Sequence, residues 1–357
     1  MEYIALKNIC KINMGQSPDS SSYNDNKDGI PFFQGNADFG EKYPVTRVWC
    51  NAPIKVAQPN DILISVRAPI GALNFAKEEC CIGRGLAALT PDRSKVSLEF
   101  IYWVLKWKKA ELNSKGTGST FKAISRKVLE ETLVPAIDFE KQYEYAEILG
   151  KTYSVIKKYK KELNCLDGLI KARFVEMFGD PVKNPKGWEV VTIGDIVTEV
   201  RYGTSKPAVE GGKYPYLRMN NLTADGHLDL NDLKYIDIPD DEIEKCVVRK
   251  GDVLFNRTNS IELVGKTVVF DLQEDMIIAG YIIRVRLNKR LLPEILSQYM
   301  NLEALKDILR SMAKGAVNQA NINAQELQSI KVYIPDMELQ KRFIEMKNQV
   351  DKSKLFS

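Results

Sequence analysis

At 357 residues the chain exceeds the usual single-core size of roughly 250 to 300 residues, and its 44% hydrophobic and 27% charged residues are ordinary for a globular protein, so two domains are expected and wholesale disorder is excluded. The net charge of +4, from 51 Lys+Arg against 47 Asp+Glu, does not by itself nominate a nucleic-acid binder, although it permits a local basic face. Six cysteines without C-x-x-C spacing and a single histidine, His227, argue against a Cys/His zinc site, a catalytic triad or a His-paired base, and the lack of any run of 18 apolar residues makes a cytoplasmic, soluble protein the expectation.

The chain opens with EYIALKNICKINMGQSP, an alternating strand, a capped turn, a second strand and a glycine loop at Gly15; WEVVTIGDIVTEVRYGTSK repeats that order with its loop at Gly203. IPFFQGN and YPYLRMNN follow, aligning Pro31 with Pro215 and Asn36 with Asn220. VAQPNDILISVRAPIGALNFA then matches VVRKGDVLFNRTNSIELVGKTVVF, which sets Asp61 opposite Asp252 and Arg67 opposite Arg257. ECCIGRGLAAL matches DMIIAGYIIRVRL, with Arg84 against Tyr281, and each leads into a helical stretch, LEFIYWVLKW or PEILSQYMNLEAL. Finally ISRKVLEETLVPAIDFEKQ matches INAQELQSIKVYIPDMELQ, with Pro135 facing Pro335. The offset grows from 184 at the first proline pair to 200 at the last, as loop insertions within a duplicated fold would give.

Each module passes into a polar, strongly helical segment. From Phe139 to about Phe178 there is no proline, and Tyr143, Ala146, Tyr153, Ile156 and Leu163 belong to a seam with spacings of three and four, the pattern of a helix packed on another helix. Asp138 is a candidate N-cap and Gly179-Asp180-Pro181 a stop. Such a helix reaches ~60 Å at about 1.5 Å per residue and suits a spacer. Phe343, Met346 and Val350 keep the same register in the second copy, which ends at Ser357 and is therefore the shorter partner. The expected segments are a first module 1–138, a long helix 139–180, a linker 181–188, a second module 189–335 and a second, shortened helix 336–357.

A strand-rich module that reads bases presents donors and acceptors on loops, because strand side chains are consumed by the core. The matched loops of the first module hold Gln16, Ser17, Gln34, Asn36, Ser65, Arg67 and Arg84, and the glycine run holds Lys115, Thr117, Ser119, Thr120 and Lys122. Those of the second hold Thr204, Ser205, Lys206, Arg218, Asn220, Asn221, Asn256, Arg257, Thr258, Asn259, Tyr281, Asn318, Gln319 and Asn321. Arg can bond guanine O6 and N7 together, and Asn or Gln can do the same with adenine N6 and N7, which suits Arg67, Arg257, Asn256 and Gln319. Ser, Thr, Lys and glycine-loop amides suit phosphates. The bland readings are a surface turn for the glycine run and solvated or ion-paired side chains for single arginines. Equivalent loop positions differ between the halves, Thr120 against Asn318 for example, so two modules on one scaffold would read two sequences.

No catalytic apparatus is legible. Asn184-Pro185-Lys186 is not the Asn/Asp-Pro-Pro-aromatic segment of an adenine methyltransferase, and no G-x-x-x-x-G-K-[ST] loop occurs. The acidic run Pro239-Asp240-Asp241-Glu242 reads as a crowded turn, Cys80-Cys81 as buried small hydrophobes and His227 as a surface residue.

The duplicated halves, the segments LVPAIDFEKQYEYAEIL and VYIPDMELQKRFIEM, the linker FGDPVKNPKGWEVVTIGDI and the blocks NDILISVRAPIG and GDVLFNRTN resemble, over essentially the whole chain, the specificity subunits of type I restriction-modification systems. The resemblance implies an α+β fold with two similar mixed α/β target-recognition domains joined by long helices that form an antiparallel coiled coil. It implies a non-catalytic subunit whose two domains read the halves of a gapped double-stranded DNA site, the helix length setting the gap. Two methyltransferase subunits and the restriction (motor/nuclease) subunits are the implied partners, with S-adenosylmethionine, ATP and Mg on those subunits and no cofactor in this chain. One departure is that the second helix falls about 20 residues short of the first at the 200-residue offset, leaving a truncated form or self-association through that helix as alternatives. A specificity subunit of a related type II multisubunit enzyme, a half of a fused restriction nuclease and a non-DNA-reading adaptor are the competing functions.

Overall fold

The computed structural model describes residues 2–118, 122–316 and 319–355, an α+β chain that divides into two compact units, 1–157 and 158–357. In the first unit a four-stranded antiparallel sheet has the order Cys10–Met14, Leu86–Pro91, Ile62–Ser65, Leu73–Phe75. Ile62, Leu63 and Ile64 are all fully buried, because helix Leu98–Trp107 covers one face and a second sheet the other. That second sheet runs Tyr23–Asn24, Val48–Cys50, Ile30–Phe33, Cys80–Ile82, Val56–Ala57, with one parallel pairing in which Phe32 faces Cys81. A two-stranded ribbon, Tyr3–Ala5 with Leu133–Pro135, brings the start of the module to its end.

The second unit repeats this plan. Its antiparallel sheet has the order Val197–Tyr202, Ile282–Leu287, Val253–Asn256, Thr267–Val269, and its mixed sheet the order Lys234–Ile236, Tyr214–Leu217, Met276–Ile278, Val247–Val248. The parallel pairing recurs with Tyr216 facing Ile277, so Pro31 and Pro215 do correspond. Asp61 and Asp252 correspond as well, each accepting the N–H three residues before it, from Gln58 and Arg249 at 2.9 Å. The second unit also has a three-stranded sheet of Thr258–Asn259, Gln319–Asn321 and Lys314–Ala316, and the first unit carries antiparallel bridges of Ala123 to Arg67 and Thr117 at the matching place.

Three expected pairings are shifted. The N–H groups of Ile124 and Ile322 donate to Val66 O and Arg257 O, both at 2.9 Å, so Arg257 stands opposite Val66 and Arg67 opposite Thr258. The Val66 and Arg257 N–H groups donate to Gly85 O and Tyr281 O, which sets Tyr281 opposite Gly85 and Arg84 opposite Gly280. Leu6 N–H bonds Thr132 O and Ile193 N–H bonds Ile330 O, so the closing blocks are offset by 198 and Pro135 matches Tyr333, not Pro335. Similar residue types one or two positions apart drew the alignment away from the backbone register, which hydrogen bonds fix.

A helix spans Phe139–Phe178 and another Met337–Leu355. Each is anchored near its start by a buried glutamine. Gln142 Oε1 accepts Ser97 N–H at 2.8 Å while its amide donates to Ile137 O; Gln340 Oε1 accepts Leu292 N–H at 2.9 Å while its amide donates to Pro335 O. Within the second unit the two helices run antiparallel. Phe343 packs edge-on to Phe174 and Phe178, and Lys354 Nζ, at the end of the second helix, reaches Asp167 at 2.6 Å. Phe343 is buried, with Met346 and Val350 packed beside it. Ala146 is buried and Leu163 half-buried, but Tyr143, Tyr153 and Ile156 are 52, 44 and 46% exposed. The helix Met337–Leu355 does not cover these three, contrary to the expected seam; Tyr153 instead meets Trp103 of the helix Leu98–Trp107 edge-on at 5.4 Å, with Lys106 Nζ 3.6 Å from its ring centre. The linker is itself ordered: Trp188 Nε1 donates to Phe178 O at 2.8 Å, and Asn184 exchanges two hydrogen bonds with the Trp188 backbone. Among the described residues no helix is long and apolar enough to cross a membrane.

One buried cation has a thermodynamic consequence. Lys306 Nζ donates to Gly265 O at 2.6 Å and Asn301 Oδ1 at 2.8 Å, and burial pushes its ammonium down to about 7. An unfolded lysine titrates near about 10.4, so between those values the unfolded chain holds a proton that the folded chain has released, and stability rises with pH across that window. Thermal unfolding from pH 7 to 9 should therefore show a rise in Tm that is smaller in Lys306→Met. Parallel curves for the two proteins would contradict the assignment.

Candidate nucleic-acid interface

In each unit the chain first leaves the antiparallel sheet for the mixed sheet at a glycine, Gly15 or Gly203. Gly203 N–H donates to Ile282 O at 3.2 Å and Thr204 N–H to Ile278 O at 2.9 Å; Gly15 N–H and Gln16 N–H do the same with Leu86 O and Ile82 O at 2.9 and 3.0 Å. Successive amides thus bond strands of different sheets. A Cβ on Gly203 would lie 2.1 Å from Ile278 O, and one on Gly15 2.2 Å from Gly83 O, so only glycine permits the approach. Immediately beyond it come Gln16 and Ser17 in one unit and Thr204, Ser205 and Lys206 in the other.

In the second unit these residues rim a recess of about 570 Å³ that also receives Arg218, Asn220, Arg257 and Tyr281. Seven expected residues from four separate segments therefore meet. Sequence reading missed its apolar floor, Tyr216, Met219 and Ala279, because those residues read as ordinary core. Tyr216 is buried, which raises its phenol, and its hydroxyl donates to Lys206 O at 3.0 Å and Thr204 O at 3.2 Å, pinning the loop after the glycine.

Three cations line this recess. Lys206 Nζ sits 2.9 Å from Glu242, and Arg218 Nη2 lies 2.8 Å from Asp232, a carboxylate held below its usual range by Lys234 and Arg218. Among the described residues Arg257 has no carboxylate partner; its guanidinium lies 5.1 Å over the Tyr202 ring. The Nε atoms of Arg218 and Arg257 are buried without a hydrogen-bond partner. Orphaned donors of this kind are costly unless a ligand supplies acceptors, and Tyr281, 49% exposed, offers a flat ring beside them.

Four expected DNA contacts are instead buried and bonded to their own fold. Ser65 donates to Pro69 O at 2.7 Å and accepts Ala72 N–H at 2.9 Å. Asn256, 0% exposed, donates to Thr258 O and Tyr281 O and accepts from Asn259. Thr258 donates to Asn321 Oδ1 at 2.8 Å, and Asn221 caps the Arg218 N–H at 2.8 Å while donating to Asp229 O. Backbone groups that leave a sheet at a buried corner need side-chain partners, and these polar residues supply them. Asn259 and Asn321 are tied into the same network, leaving Gln319 exposed on its strand.

In the first unit Gln16, Gln34, Arg67, Arg84, Thr117 and Lys122 are exposed, Ser17 and Asn36 half-buried. Ser17 Oγ accepts Arg84 N–H at 3.2 Å, and Lys115 is paired with Glu111 at 2.6 Å. Thr117 and Ala123 close the base of the glycine run; Ser119, Thr120 and Asn318 lie outside the described residues. The acidic run is not a turn, since Asp240–Cys246 is a helix whose first turn carries Asp240, Asp241 and Glu242, favoured there by the helix dipole. His227 is exposed and 3.7 Å from Asp225.

Comparison with known proteins bears on the whole chain. The family model described as "Type I restriction modification DNA specificity domain" matches residues 1–165 and again 185–355. A Methanocaldococcus jannaschii protein named as the type I restriction enzyme MjaX specificity subunit is 44% identical over 43% of this chain and 36% of its own. The EcoKI specificity subunit of Escherichia coli is 26% identical over 55% of this chain and 42% of its own. The chain thus spans less than half the length of these two relatives. The crystal structure of a type I S subunit from M. genitalium superposes over 99% of this chain and 90% of that one with a TM-score of 0.53 at 15% identity, a likeness of fold. The HsdS subunit of Thermoanaerobacter tengcongensis is 42% identical over 44% of this chain and 39% of its own, with a TM-score of 0.40. The chain belongs to the type I restriction modification DNA specificity domain family.

The division of labour between neighbours is open to measurement. Asn256→Ala should lower stability in urea unfolding by about 1–3 kcal/mol, since it strands buried backbone acceptors. Arg257→Ala should change it by less than about 0.5 kcal/mol. The reverse ranking would place Arg257 in the scaffold and return Asn256 to the interface.

Proposed function

We propose that this chain is the DNA-reading subunit of a type I restriction-modification complex, each unit reading one half of a gapped, asymmetric duplex site while catalysis belongs to partner subunits. The observation that carries the reading is the recess of the second unit, where one scaffold gathers Lys206, Arg218, Arg257 and Tyr281 around unpaired guanidinium N–H groups. A guanine edge offers two acceptors to such a guanidinium, and phosphates suit Lys206 and the Thr204–Ser205 hydroxyls. The equivalent positions of the first unit hold Val66 and Gly85 in place of Arg257 and Tyr281, with Arg67 and Arg84 as neighbours, so the two half-sites are unlike.

The exposed apolar side chains of the helix Phe139–Phe178, among them Tyr143, Ile148 and Ile156, are the proposed docking surface for methyltransferase subunits. Those subunits would carry S-adenosylmethionine, and restriction subunits ATP and Mg. An acidic nuclease centre at 240–242 is disfavoured because Glu242 is engaged by Lys206 at the start of a helix.

Selection from a random duplex library by the chain together with its methyltransferase partner should return a bipartite site, while the chain alone methylates and cleaves nothing. Arg257→Ala should relax a position in one half-site only, by ~1–3 kcal/mol if the contact is bidentate. A uniform loss over all sequences would make Arg257 a phosphate contact, and a catalytic rate from the isolated chain would overturn the function.

A further inference from the structure

The loop that follows the proline-bearing strand carries candidate reading residues in both units, Gln34 and Asn36 in the first and Arg218 and Asn220 in the second. Neither loop is held by its own sheet alone. In the second unit Lys266, 7% exposed, extends from the corner just before strand Thr267–Val269 of the antiparallel sheet, and its Nζ donates to Met219 O at 2.7 Å and to Leu222 O. These carbonyls bracket the 3₁₀ turn Met219–Asn221, whose first residues line the recess. Lys266 has no carboxylate partner among the described residues, so its donors serve the turn alone, and its own backbone is fixed against Asn256, one residue before Arg257, by Asn256 N–H to Lys266 O at 2.8 Å.

The first unit does the same job with another residue. Asn74, 2% exposed on strand Leu73–Phe75, accepts Gly40 N–H at 3.0 Å and donates to Gly40 O at 3.1 Å, closing the loop that holds Gln34 and Asn36. Strand pairing shows that the two are not aligned: Leu73 faces Ile64 and Thr267 faces Phe255, which sets Asn74 opposite Val268 and Lys266 opposite Ala72. Each unit thus carries a buried polar tether between its two sheets, built at a different position and of a different chemistry.

We infer that Lys266 and Asn74 are positioning residues for sequence recognition, each fixing the attitude of its own unit's reading loop against the opposite sheet. The inference rests on the proposed DNA-reading function. A lost tether frees the loop without touching any residue on the DNA side, so discrimination falls while general affinity for duplex is kept.

Library selection with the full chain and its methyltransferase partner tests this, because only folded, bound molecules contribute sequences: a variant that is merely less stable lowers the yield and leaves the selected site unchanged. Lys266→Met is expected to reduce base preference in the second half-site by about tenfold, the scale of one misplaced bidentate contact, with the first half-site unchanged. Asn74→Leu is expected to do the converse. Lys266→Arg, which keeps two donors, should recover most of the preference. If Lys266→Met yields no folded protein, Lys266→Gln, which keeps one donor arm, takes its place with the same expected result. An unaltered site in both variants, or equal relaxation of both halves in either, overturns the inference. A wild-type chain that selects no site at all overturns instead the DNA-reading function on which it rests.

Discussion

The architecture of each unit turns on a close passage of backbone against backbone at the step between its sheets. Where the chain steps from one sheet to the next, Gly15 and Gly203 lie so near the carbonyls of residues 82–86 and 278–279 that a methyl group has no room. The amide on one side of the step bonds the antiparallel sheet and the next amide bonds the mixed sheet, so two hydrogen bonds lock the sheets beside the apolar core that Ile82 and Leu86, or Ile278 and Ile282, help to build between them. Everything placed at the rim of the recess follows from that lock: the loop beyond the glycine, the turn after the proline strand and the corner at Arg257 are brought together because the sheets that carry them cannot separate there.

The same corner explains why so many polar residues near the recess face inward. A chain that leaves a sheet strands its carbonyls and amides, and in a buried corner water cannot serve them. Ser65, Asn256, Asn221 and the tethers Asn74 and Lys266 are spent on this. Further from the corner the two units diverge in how they fill the same sheet. Arg284 is fully buried and shares Glu199 with Arg286, while Asp252 takes the other side of Arg286; the aligned position of Arg284 in the first unit is Ala88, with no charge to satisfy. A duplicated scaffold has kept its backbone hydrogen bonds and exchanged its side-chain solutions.

The duplication was legible because its landmarks are residues with strong backbone preferences: prolines at the strand that pairs in parallel, aspartates that cap the turn before the central strand, and glycines at the step between sheets. The helix from Phe139 was legible from its period and its missing prolines. Registers between those landmarks were not, since Arg67 and Arg257 look alike in a string, and only the bonds to Ile124 and Ile322 reveal that they occupy neighbouring positions. At the site, residue type showed which segments are polar, and seven such residues do converge on one recess. It did not show which polar residues face the corner: Asn256 and Arg257 are adjacent and equally suited to a base edge, yet Asn256 is sealed in the fold and Arg257 lines the recess. Lys266 in GKTVV gave no signal at all, because a lysine's burial depends on a pair of carbonyls that arrive from more than forty positions away.

The central claim is that one scaffold with two sets of side chains reads two unlike half-sites independently. Its most direct test is to exchange residues 1–138 for the corresponding module of another family member and to map the methylated adenines placed by the reconstituted complex. A new sequence in one half of the site, with the other half and its spacing retained, is the predicted result. An unchanged site, or a change in both halves, would contradict the account.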